Sequence, residues 1–320
     1  MNNRTGSPEV VTFGESMGLL TAEDSRGLEY TAQLRKSFGG AEGNLAIGIA
    51  RLGHSVGWCG RLGNDSLGNM IQKAFRGEGV DVSRSMLVDG QSTGIMVRET
   101  VFGKLAVHYY RRNTAASQMQ PDDLDADYIA GARILHVTGI TAAISPSGLA
   151  TVKRAVQIAK AAGVKVSFDP NIRLKLWTIE EARPVLLELA EQCDYFLPGL
   201  DELQLIYDTS DEADIFARLR QLKATSIVKG GPDLNYVVEK DRTIEVPYFK
   251  AEHMVDEVGA GDAFCAGFLA GLLRGYSNEE AVRLGNLNGS LVIQALGDWE
   301  ALPTHAQVEA RLSNKVHVKR

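Results

Sequence analysis

Only three cysteines occur in the 320 residues: Cys59, Cys193 and Cys265. Their odd number and wide spacing exclude a disulfide framework and a zinc-ligand cluster, and fit a reducing compartment. The six histidines fall at no metal-ligating spacing. His136, inside an apolar stretch, reads as a hydrogen-bonded core residue. The longest apolar run, "AFCAGFLAGLL", is too short to cross a bilayer and is broken by Gly267 and Gly271. No apolar segment of a secretion signal is visible in the opening "MNNRTGSPEV". Basic residues are outnumbered, 34 Lys and Arg against 40 Asp and Glu. That balance excludes the counterion-displacing surface that nucleic acid or an acidic membrane requires. Trp58, Trp177 and Trp299 show no spacing of a base-stacking platform. A Gly-x4-Gly-Lys-Ser/Thr loop is absent, which excludes a P-loop nucleotide site. These absences leave a soluble cytoplasmic protein with small-molecule partners.

What is present is an ordinary globular composition, 44% hydrophobic and 23% charged with mean hydropathy -0.10. The length suffices for one large core. Residues 9–14, 55–63, 132–140, 164–170, 193–199 and 226–231 read as buried strands ending in Gly or Pro. Between them, Asn44–Leu52, Ser66–Gly77, Pro146–Ala162, Thr178–Glu191 and Glu212–Leu222 read as helices. Such alternation predicts an α/β fold, a doubly wound, mostly parallel sheet flanked by helices, with ligands at the carboxyl ends of the strands. Two stretches break the alternation. Residues 28–38 alternate weakly, and 93–112 read as two strands joined across Phe102–Lys104. They predict a small inserted β-sheet, formed by insertions at about 15–38 and 91–113, that serves as a lid or a dimer contact. No repeat or linker divides residues 1–320.

Two glycine-rich stretches could carry chemistry. In "EVGAGDAF" the turn Gly259, Ala260, Gly261 enters a helix, exposing backbone N–H groups at its positive end, an anion site. Asp262 beside it either accepts a proton from an attacking hydroxyl or caps the helix. In "FGGAEGNLAIG", Gly40 and Asn44 form either a polyol site or a loop with a helix cap.

Together the two stretches resemble the paired signatures of the ribokinase-like (PfkB) carbohydrate kinases, an early Gly-Gly-x-x-x-Asn-x-Ala and a late Gly-Ala-Gly-Asp. The resemblance spans essentially the whole chain. It implies Asp262 as catalytic base, Gly259–Gly261 as anion hole, Gly40 and Asn44 as sugar contacts, and ATP with Mg2+ as donor. A monovalent cation such as K+ and a homodimer or higher oligomer through the lid are further implications. "HYYRRNTAAS", "ILHVTGI", "FDPNIR" and "LGDWEALPT" resemble the branch acting on 2-keto-3-deoxygluconate. There, positions matching Tyr109, Arg111 and Arg173 hold the sugar acid, whose terminal hydroxyl is phosphorylated. Guanidinium forks suit such a carboxylate. A neutral-sugar kinase and a catalytically silent sugar-binding protein are the alternatives.

Some positions depart from the family pattern. Met96 stands where some members of the branch have a Tyr, and Glu257 precedes the anion hole where a neutral residue is usual. Gly199 takes the Asn place of Asn-x-x-Glu, leaving Glu202 as an indirect metal organiser. Lys229 and Gly231 match the nucleotide-loop pattern although Leu234 replaces a second Gly, and Asn288 fits the adenine-side helix.

Overall fold

The computed structural model describes residues 6–231 and 233–313. Eight strands form the central sheet, in the order Thr243–Pro247, Leu234–Val238, Thr225–Val228, Tyr195–Phe196, Lys165–Asp169, Ile134–Thr138, Val10–Phe13, Val56–Cys59. The last six run parallel, and Leu234–Val238 is antiparallel to both its neighbours. Val10–Phe13 and Val56–Cys59 are buried at every residue, as expected for parallel strands covered on both faces. One apolar cluster, with Trp58, Phe75 and Phe268, fills one face of the sheet; another, with Phe13, Phe168 and Phe196, fills the other.

From Val10–Phe13 the chain first crosses to the edge strand Val56–Cys59, then returns to Ile134–Thr138 and builds outward in the opposite direction. This reversal opens a crevice at the strand carboxyl ends. Over it stands a second sheet, ordered Leu34–Gly39, Met17–Ala22, Ile95–Val101, Lys104–Tyr110. Met17, Leu19 and Met96 make its apolar patch.

The alternation expected from the sequence is present, with local corrections. The 55–63 stretch divides into Val56–Cys59 and a short strand Arg61–Gly63 that pairs with Met86–Val88. In the 28–38 stretch only Leu34 onward is strand. The helix expected from Asn44 begins at Ala41, with Gly40 at its N-cap. Gly40 is required there because a β-carbon would strike the Glu15 carbonyl. Ser66–Gly77 and Pro146–Ala162 keep their expected ends because Asp65 and Ser145 cap them, through Gly68 and Gly148 N–H.

One helix, Ala260–Leu273, is buried almost all round. It packs on Ala41–Arg51 and on Asn278–Val292 through small residues. A β-carbon added at Gly48 would stand 2.6 Å from that of Ala266, and one at Gly271 would stand 2.7 Å from the Ala281 Cα. Close approach of these backbones brings the two glycine-rich stretches, far apart in sequence, to one place.

Candidate active site

A cavity of about 560 Å³ lies between the sheet's carboxyl edge and the small sheet. Gly40 and Asn44 line it from one side, Gly259, Gly261 and Asp262 from another. Tyr109, Arg111, Arg173, Lys229 and Glu202 complete the set of sequence-assigned residues that meet there.

Asp262 does not cap its helix. The N-cap is Gly259, whose left-handed backbone (φ 83°) suits glycine, and Asp262 is the third helical residue. Its Oδ2 accepts from Asn44 Nδ2 at 2.8 Å. Asn44 is likewise no cap, lying one turn inside its own helix. Burial is the main cause that pushes the Asp262 pKa up to about 7; the Asn44 amide and Arg173 oppose it, and Asp169 and Asp298 add to it. A carboxylate tuned there exchanges protons near neutrality.

Asp169 ends the strand Lys165–Asp169 and was not singled out from sequence. Its Oδ2 accepts from Lys229 Nζ at 2.9 Å and from Cys265 Sγ at 3.4 Å. Its Oδ1 accepts from Asn171 N–H at 3.1 Å, in a turn where Asn171 takes φ 39°. Asn tolerates that conformation, and the turn delivers Arg173 to the cavity. Lys229 is therefore no surface lysine: burial is the largest influence and works against its charge, but Asp169, Cys265 and Glu202 together outweigh it and raise its pKa.

Glu202 accepts from Gly199 N–H at 2.7 Å and from Ile172 N–H at 2.6 Å. It closes the first turn of the Leu200–Tyr207 helix and pins the turn that carries Arg173. Burial, reinforced by Asp169, raises its pKa.

Arg111 is not a free cation. It forms a close, buried ion pair with Glu15, and its guanidinium sits 5.5 Å from the Tyr109 ring centroid. Burial raises the Glu15 pKa against the pull of Arg111. Arg173, by contrast, has no side-chain hydrogen bond or ion pair among the described residues. Thus one of the two expected guanidinium groups is already engaged. Glu257 lies on the exposed rim, where solvent screens its charge.

A second cavity, about 290 Å³, shares Lys229 and Gly261 with the first. Phe249, Phe264 and Ile293 give it apolar walls, and Asn286 and Ser290 add polar groups; Ala260 lines this cavity, not the first. Two sequence-assigned residues line neither. Asn288 is fully buried and donates to the Ala263 carbonyl at 3.4 Å, and Gly231 packs against Leu234 and Tyr236. His136 is buried, 3.1 Å from Ser167 Oγ, and burial lowers its pKa to about 4.

Five charged residues in the cavity wall escaped the sequence reading: Glu15, Arg98, Asp169, Asp201 and Asp298. Glu15 and Asp169 carried a usable signal, since each stands just at or past a strand's carboxyl end.

The family model for the pfkB family carbohydrate kinases matches residues 7–305. The chain is 36% identical to a Bacillus subtilis 2-dehydro-3-deoxygluconokinase, covering 98% of each. It is 31% identical to a Shouchella clausii 5-dehydro-2-deoxygluconokinase, covering 97% of each. Among solved structures, a PfkB protein from Polaromonas sp. JS666 superposes with TM-score 0.87 at 37% identity, covering 95% of this chain and all of that one. An E. coli protein described as ribokinase II, in complex with ATP and Mg2+, superposes with TM-score 0.88 at 24% identity, covering 96% and 99%. That likeness concerns the fold alone. A family match over nearly the whole length, on top of a glycine-turn site assembled from both ends of the chain, places this protein in the pfkB family of carbohydrate kinases.

Proposed function

We propose that the chain transfers the γ-phosphoryl of ATP to the terminal hydroxyl of 2-keto-3-deoxygluconate, giving 2-keto-3-deoxy-6-phosphogluconate. The observation that carries this reading is the presence in one cavity of a carboxylate with a pKa near neutrality, Asp262, and an unengaged guanidinium, Arg173. Arg173 suits the carboxylate of a sugar acid, and a neutral sugar has no use for it. The name of the 36%-identical relative supports the same substrate.

The residues fit ATP. The apolar slot of Phe249, Phe264 and Ile293 suits a flat base, and Lys229 and Gly261 form the wall between that slot and the sugar cavity. N–H groups in the first turn of Ala260–Leu273 lack intrahelical partners and suit phosphate. Among the described residues no group of three or more metal-ligating side chains exists. Mg2+ would therefore be held largely by water and phosphate oxygens. Asp201 faces the cavity beside Glu202, and Glu202 acts through the backbone it pins. Bound Mg2+–ATP would supply the phosphoryl group and offset its charge.

Gly40 and Asn44 hold the sugar hydroxyls, and Arg173, with Arg111 and Tyr109, the acid end. Asp262 takes the proton of the terminal hydroxyl as that oxygen bonds to phosphorus. The bond from phosphorus to the bridging oxygen breaks, and ADP leaves with the electron pair. Backbone N–H groups of Gly259–Gly261 stabilise the equatorial oxygens. The small sheet acts as a lid that excludes water. Phe102 (95% exposed) and Tyr110 (65%) on that sheet support a homodimer formed through it. Three buried free cysteines support a cytoplasmic setting.

ADP release over a panel of sugar acids and neutral sugars, in K+ and in K+-free buffer, tests the reading. Fastest turnover on 2-keto-3-deoxygluconate is expected. Faster turnover on fructose or ribose would replace it with a neutral-sugar kinase, and none on any substrate with a silent binder.

A further inference from the structure

Arg98 stands on the small-sheet strand Ile95–Val101, yet its guanidinium leaves that sheet. Nη1 donates to Asp256 at 2.8 Å and Nη2 to Asp298 at 2.6 Å. The three side chains keep only 6%, 9% and 6% of their surface exposed. Each acid is tied in turn to the anion turn. Asp256 accepts from Val258 N–H at 3.1 Å, just before Gly259. The Asp298 carbonyl lies where a β-carbon of Gly259 would be, and its carboxylate where one of Gly39 would be. Asp298 is thus wedged between the end of a small-sheet strand and the turn that begins the Asp262 helix.

A buried ion cluster is weak evidence for stability, because desolvation offsets the attraction. What a planar two-armed fork supplies is direction. From this geometry we infer that Arg98 is a positioning residue, a clasp that fixes the Gly259–Gly261 turn and Asp262 relative to the small sheet, so that the anion site is in register only when that sheet is seated. Asp256 and Asp298 are the two catches. The inference rests on the proposed roles of Asp262 and the glycine turn, but not on which sugar is the acceptor.

Arg98→Met alone would strand two buried acids and could fail to fold, so the informative variant is Arg98→Met/Asp256→Asn/Asp298→Asn, which leaves no unpaired charge. Arg98→Lys keeps the charge and loses the fork. Both are assayed with whichever acceptor the wild type phosphorylates fastest. The triple variant should keep its Tm within a few degrees and its sugar KM within about threefold. Its kcat should fall about 100-fold, the cost of a small misplacement of reacting groups. ADP release without sugar should rise as a fraction of kcat, because the seated sheet no longer governs the anion site. Arg98→Lys should recover less than half of the lost turnover. A folded triple variant with wild-type kcat, or one whose loss lies entirely in KM, would overturn the clasp. If the wild type phosphorylates some other acceptor and the triple variant still loses kcat, the substrate proposal fails and the clasp stands.

Discussion

Asn44 and Asp262 are 218 residues apart in sequence and 2.8 Å apart in the fold, amide nitrogen to carboxylate oxygen. An N–H donated to a carboxylate favours its ionised form and fixes which lone pair faces the substrate. Replacing Asn44 by Ala removes both effects. Turnover should fall about 10- to 100-fold, the range of a lost charge-assisted hydrogen bond. The acid limb of the pH profile should move to higher pH, checked by initial rates from pH 5 to 9.

In the wild type, kcat/KM should rise with pH and reach half its plateau near pH 7, where the Asp262 carboxyl ionises. The sign follows from its role: only the deprotonated form accepts the hydroxyl proton. A flat profile across pH 6 to 8 would remove Asp262 as base.

Asp262→Asn should bind both ligands and lose about 100- to 10,000-fold in turnover. It should also make the fold more stable. Because the folded-state pKa lies above the ordinary value of 3.8, the folded carboxyl holds its proton more tightly than the unfolded one. Wild-type stability therefore declines between pH 4 and 7, and the amide avoids that loss. A gain of about 1–2 kcal/mol at pH 8, absent at pH 3.5, is expected from denaturant titration.

Arg173→Ala should raise KM for a keto-deoxy acid about 10- to 100-fold and alter KM for a neutral ketose little. Equal effects on both would show that Arg173 does not meet a carboxylate. Glu15→Gln, which frees Arg111 from its ion partner, should weaken the acid's binding less than Arg173→Ala does.

Gly48→Val tests the helix contact beneath the site. The added side chain would meet Ala266, costing about 1–3 kcal/mol by overpacking. Because Asn44 lies one turn above, kcat should fall as well, measured at a temperature where the variant stays folded.

The strand–helix alternation and both glycine turns were legible in the sequence because each rests on local rules: apolar runs, caps and turns. The start of the Ala41–Arg51 helix was missed because glycine, with no side-chain signal, fills its N-cap. The ion pair that buries Lys229 had no sequence signal, since its partner, Asp169, lies on another strand. Asn288 and Asn286 sit two positions apart on one helix, and only the packing shows that Asn286 reaches the second cavity while Asn288 turns inward. The Arg98 cluster draws on three distant segments and has no local signature at all.

Lys229 and Gly261 belong to the walls of both cavities, and this party wall limits redesign. A substitution there that widens the smaller cavity also shifts the floor of the larger one, so under the proposed function donor and acceptor preference cannot be tuned separately at those positions. Met96 and Val107 border only the larger cavity, the proposed acceptor site. Libraries seeking a bulkier or differently oxidised acceptor belong at those two apolar side chains, where the phosphoryl donor's side stays untouched.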